Sequence, residues 1–150
     1  ALEFLRTHNT VGMVATVDAE GQPFLSSVGY VMGDEFDLYF LTSKGTHKAK
    51  NIAVSDKVAF TVGTGPEYIS VMIRGRASIA TNEEQNQALP ELTKKLDQSK
   101  ALKWPVKTLD DLKDQNLVLY KITPEKVTFL NINSTQEPKS NTDHLYHLMD

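Results

Sequence analysis

Cysteine is absent from this chain of 150 residues. That removes a disulfide framework, a thiolate nucleophile and any cysteine-ligated metal, and it suits a reducing compartment, so a cytoplasmic location is the expectation. An excess of one charge is also missing: 16 Lys and Arg stand against 19 Asp and Glu, for a net charge of -3. Without a broad basic surface, nucleic acid is not an expected partner. No apolar run approaches the roughly 20 residues of a membrane-spanning helix, and no signal-peptide pattern is visible. No Ser/His/Asp nucleophilic set can be assembled, and no internal repeat is present.

What remains is a composition with 40% hydrophobic residues, enough for one domain with a real core. A helical pattern over Ala1 to Thr7 is followed by strand patterns at Val11 to Val17 and at Phe24 to about Met32, separated by the turn in DAEGQP. A Gly33-Asp34 turn leads to a third strand ending near Ser43, and three strands joined this tightly make an antiparallel meander. Further strands are expected at Val58 to Val62 and Tyr68 to Ala80, the second with a bulge at Gly75. Residues 82–98 read as helical with Pro90 as an interruption, and Thr108 can cap a short helix over Leu109 and Leu112. Two last strands, Asn116 to Ile122 and Lys126 to Ile132, flank a Thr-Pro-Glu turn. The expected architecture is therefore mainly β with peripheral helices, a closed or partly closed barrel over 1–132 with a polar, mobile tail over 133–150.

The segment from Asp37 to Asn51, DLYFLTSKGTHKAKN, carries the most chemistry. Leu38, Phe40 and Thr42 alternate with Tyr39, Leu41 and Ser43, Gly45 frees the turn, and Thr46 is a good N-cap. Ala49, Ile52 and Ala53 then recur at helical spacing, so the apolar face should lie on the sheet while His47, Lys48 and Asn51 point elsewhere. A helix N-terminus carries about half a positive charge and normally attracts Asp or Glu. Here Lys44, His47, Lys48 and Lys50 stand there instead. A bound phosphate would correct the imbalance by uniting free amides, the Thr46 hydroxyl and the lysines; a solvated lysine-bearing helix is the other reading of the same residues.

TVDAEGQP, a strand containing Ser26-Ser27, then LYFLTSKGTHKAKNI, DKVAFTV and VMIRGRA together resemble the flavin-binding split β-barrel family related to pyridoxamine 5'-phosphate oxidase. The resemblance spans roughly Phe4 to Ile132 and implies a six- to seven-stranded antiparallel barrel, homodimeric, with flavin mononucleotide (FMN) at the subunit interface. By position it implies that Thr46, His47 and Lys48 hold the flavin phosphate. It further implies that Leu41, Thr42 and Ser43 line the ribityl chain and ring edge, and that Ser26 and Ser27 lie on the strand facing the ring. Ser70 falls where many relatives place a glutamine reaching across the dimer, a shorter side chain here. The C-terminal arginine and histidine pair of the true oxidases has no counterpart in LVLYKITPEKVTFLNI, so oxidation of pyridoxamine phosphate is not expected.

Several residues keep two readings. Trp104 could stack near the flavin or simply pack. Arg74 and Arg76 share a strand face and could receive an anionic substrate or form ion pairs. Asp110 and Asp111 suit the start of a helix. His144 and His147, at i,i+3 spacing on a helical tail, could ligate metal or be plain tail residues; no metal is expected. The resulting expectation is an FMN-dependent oxidoreductase acting on a small molecule or a nicotinamide cofactor. The alternatives are a flavin storage or sensing module, or a relative that binds the deazaflavin F420 or haem; haem is disfavoured because His8 is the only barrel histidine besides His47.

Overall fold

The computed structural model describes residues 1–7, 11–63, 69–98, 109–131 and 145–149. The chain begins with α1 (Leu2–Thr7), then β1 (Val11–Val17), β2 (Pro23–Met32) and β3 (Leu38–Ser43), followed by α2 (His47–Val54), β4 (Lys57–Val62) and β5 (Ile69–Ile79). It continues with α3 (Asn82–Gln98), α4 (Leu109–Asp114), β6 (Leu117–Asn131) and β7 (Leu145–Met149). All strand pairs are antiparallel in the order β3-β2-β1-β4-β5-β6-β7, and a further β3–β6 pairing closes the first six into a barrel. Among the described residues no helix is long and apolar enough to cross a membrane.

The turns explain the meander. The Asp18 carboxylate accepts the amides of Glu20 at 2.9 Å and Gln22 at 2.8 Å, and Gly21 takes φ +80°, which reverses the chain between β1 and β2. Inside the barrel, alternate residues such as Val14, Tyr30, Phe40, Phe60, Ile73 and Ile122 form the core, with Ala49 and Ile52 of α2 in the same cluster. Leu5 of α1 belongs to it too, and its carbonyl accepts the Tyr30 hydroxyl at 2.7 Å. A second layer lies outside: Val31, Tyr39, Leu41 and Leu119 pack under Ala88, Leu89 and Leu92 of α3 and Leu112 of α4. Strand β3 is therefore buried on both faces.

Three expectations change. Residues 117–131 form one strand, not two around a turn, because the Thr-Pro-Glu sequence is absorbed by a bulge. Arg74 pairs with Lys126 and Gly75 with Pro124, leaving Glu125 as the extra residue, which Arg76 reaches at 2.7 Å. A Cβ at Gly75 would run into the Thr123 carbonyl, so only glycine permits this approach. Pro90 does not interrupt α3: it is exposed, as is Asn86 one turn earlier, so water can serve the carbonyl that proline leaves unbonded. Finally, residues 145–149 are not tail but β7, hydrogen-bonded to β6 at Val127 to Leu130. The helical spacing read into His144 and His147 is thereby lost, since His147 lies in a strand; His8 and His144 are outside the described residues.

Candidate functional site

The β3 to α2 junction forms as its sequence implies. Thr46 is extended, with φ -73° and ψ 155°, and its side chain caps α2 by accepting the Ala49 amide at 3.4 Å. The first intrahelical bond is Lys50 N–H to the Thr46 carbonyl at 3.1 Å, so the His47 and Lys48 amides have no acceptor within the helix. The Thr46 hydroxyl donates to the Ser43 carbonyl at 2.9 Å. Its single proton is thus used, and the 3.1 Å contact with Thr42 is a bond that Thr42 donates. Both hydroxyls and two open amides gather within one turn of chain.

No acidic residue stands in the first turn of α2. Lys44, His47 and Lys50 are exposed, whereas Lys48 is partly buried, and no carboxylate within ion-pair distance of it is found among the described residues. Burial holds the Lys48 ammonium below the ordinary lysine range. A partly desolvated cation beside open amides fits an anion, and phosphate supplies the charge and the acceptor oxygens that would suit the Lys48 ammonium and the amides of His47 and Lys48.

Helix α2 docks on the β1–β2 hairpin by two contacts that the sequence reading missed. Asn51 is buried and donates from Nδ2 to the Thr16 hydroxyl at 3.1 Å, while Ala53 is exposed, so the assignment of these two positions is reversed. His47, four residues before Asn51, stacks on Phe24 with ring centroids 5.6 Å apart and planes at 15°. The signal was available in the i,i+4 spacing, which puts His47 and Asn51 on one face.

The other candidates are divided between faces. Thr42 points with Phe40 toward the barrel interior and α2, whereas the Leu41 side chain is buried in the outer layer beneath α3. Ser43 ends β3 opposite Leu117. Ser26 lies on the inner side of β2 with Phe24, and Ser27, its neighbour, projects outward and donates to Met13 Sδ at 3.1 Å. Ser70 is on β5, paired with Leu130, on the same outer side as Met72 and Arg74, away from the socket. Trp104 is outside the described residues.

That outer side carries a cavity of about 460 Å³ across β1, β2, β4, β5 and β6, lined by Met13, Ala15, Leu25, Thr61, Met72, Arg74 and others. Leu25 is 65% and Met72 42% exposed, so apolar side chains line the mouth of this cavity. Arg76 is used differently from Arg74, since it bridges Asp56 at 2.9 Å and Glu125 at 2.7 Å. A separate cavity of about 390 Å³ between α1, α3 and the β2–β3 turn includes Arg6 and Lys95. No group of three or more metal-ligating side chains occurs among the described residues.

The family model described as pyridoxamine 5'-phosphate oxidase matches residues 1–131, and the chain belongs to that family. General stress protein 26 of Bacillus subtilis is 33% identical over 129 residues, covering 83% of this chain and 81% of that protein. Among solved structures, a protein of Mesorhizobium loti described as FAD-binding aligns with a TM-score of 0.63 at 23% identity, covering 85% of this chain and 90% of the other. The haem storage protein of Vibrio cholerae aligns with a TM-score of 0.64 at 19% identity, covering 84% and 89%. These two likenesses establish the shared barrel.

Proposed function

We propose that this protein is an FMN-binding oxidoreductase whose flavin phosphate is held at the N-terminus of α2 by Thr46, His47 and Lys48. The observation that carries this reading is Lys48, a partly buried ammonium without an ion pair among the described residues, set beside amides with no helical acceptor. Thr42 and Ser43 then lie next along the chain, where the ribityl chain would leave the phosphate. When bound, the flavin supplies the electron-transfer chemistry, and the protein's part is binding, orientation and exclusion of water. Membership of the family and the name of the Mesorhizobium loti neighbour support a flavin.

The exposed apolar surface around Leu25 and Met72 is the place for a second subunit. In a homodimer formed there, Ser27 and Ser70 would approach the partner's cofactor instead of their own. The substrate would be a small molecule or a nicotinamide cofactor reaching the flavin from the same interface.

A second reading, a module that stores or delivers flavin without turnover, is favoured by the lining of the outer cavity. Among the described residues it holds Arg74 and Lys126 but no carboxylate or imidazole to move a proton. Anaerobic mixing of the FMN-loaded protein with NADH and NADPH separates the two: flavin bleaching and reoxidation by a second substrate mark an enzyme, whereas an unreduced yellow protein marks a carrier. Absence of any visible chromophore or quenching of FMN fluorescence on titration would end both. A Soret band on haemin titration, or selective binding of F420, would replace FMN with those cofactors.

A further inference from the structure

Thr16 and Phe24 are directly paired across β1 and β2, so their side chains leave the hairpin side by side. Opposite partners in an antiparallel pair have Cβ atoms about 4.5–5.5 Å apart. On α2, His47 and Asn51 sit one turn apart on one face, with about 5–6 Å between Cβ atoms. The two spacings match, and the pairs meet as a clasp: Asn51 bonds Thr16 at 3.1 Å, and the His47 ring lies on Phe24 with centroids 5.6 Å apart.

The halves of the clasp differ in exposure. Asn51 and Thr16 are buried and fasten the helix. His47 is exposed, and nothing else among the described residues orders its ring. A surface histidine loses side-chain rotamer freedom when it grips a ligand. Stacking at 15° covers one ring face and leaves both nitrogens, which lie at the ring edge, free to hydrogen-bond.

We propose that Phe24 is a positioning residue of the phosphate socket: by fixing the His47 imidazole at the start of α2 it sets the preference for phosphorylated over unphosphorylated flavin. This rests on the reading of that socket as the flavin phosphate site. Phe24 acts through His47, so its effect exists only while the imidazole is present.

The test is fluorescence titration of FMN and riboflavin with the full chain, its Phe24→Leu and Phe24→Trp variants, and each change combined with His47→Ala. From the size of an aromatic pair contact, F24L should weaken FMN roughly three- to tenfold while riboflavin stays within about twofold. F24W should keep the preference, and F24L should add nothing in the His47→Ala background. Equal loss of both flavins, no loss of FMN, or a full F24L effect without His47 would each overturn the proposal and leave the socket reading intact. A wild-type protein that binds riboflavin as tightly as FMN would overturn the socket reading and this proposal together. F24W guards against a folding artefact, because a merely structural role would not be rescued for FMN alone.

Discussion

The hydroxyl of Thr42, at the end of β3, donates to the hydroxyl of Thr46, the N-cap of α2, across 3.1 Å. Thr46 thereby serves strand, turn and helix together, since it also donates to the Ser43 carbonyl and accepts from Ala49. Thr46→Ala should cost about 1 kcal/mol of stability in urea unfolding, the usual value of an N-cap, and Thr46→Ser should restore most of it. Equal stability of the alanine and wild-type proteins would remove the cap from the account of this junction.

Lys48 should show opposite effects on stability and on binding. Lys48→Ala should weaken FMN by about 1.5–3 kcal/mol, the range for hydrogen bonds involving charged groups. The same change should leave the flavin-free protein no less stable, because the ammonium it removes is disfavoured by burial. Unchanged affinity in fluorescence titration would move the phosphate elsewhere.

Lys95 provides a pH test. Its Nζ is buried without a hydrogen-bond partner among the described residues, 4.8 Å from the centre of the Tyr30 ring, and burial lowers its pKa although Glu91 raises it in part. A lysine with a lowered folded pKa binds fewer protons folded than unfolded, so its cost is full at pH values below the folded pKa. The cost is relieved as pH rises toward the unfolded value of about 10.4. Lys95→Met should therefore raise the melting temperature at pH 7, with a gain that shrinks by pH 10. A constant difference across that range would contradict this linkage.

Gly75→Ala should destabilise by about 1–3 kcal/mol, the range for overpacking, because the new methyl meets the Thr123 carbonyl and the Pro124 backbone of β6. Chemical denaturation measures it. A neutral outcome would mean that the bulge can shift.

Leu25→Glu places a charge on the exposed apolar surface of β2 and should convert a dimer to monomers in sedimentation velocity, with release of FMN on dilution. The Leu25 side chain is largely exposed, so the monomer should remain folded. A mutant that sediments like wild type would move the subunit interface to another face.

Local features were legible and cross-strand ones were not. The Thr46 cap, the β3 to α2 order and the bend at Gly75 depend on residues near in sequence, and each appears where the pattern placed it. Pro124 read as a turn because the residue that accommodates it, Gly75, lies on another strand. Asn51 read as solvated because the Thr16 hydroxyl that satisfies it is 35 residues away. The polar stretch 133–144 led the short apolar run Leu145–Met149 to be read as tail, because nothing local shows that the free edge of β6 takes another strand.

The sequence by itself determined that this is a cysteine-free barrel with a basic helix start suited to an anion, because strand period, turn chemistry and helix capping are local properties. Only the tertiary structure decided which side chains gather around that helix start. Closure of β3 on β6 and the docking of α2 on the β1–β2 hairpin leave Lys48 partly dry and set His47 on Phe24, while Ser27 and Ser70 are turned to the outer surface. Burial and opposition of side chains are relations between distant segments, and they exist only once the barrel has closed.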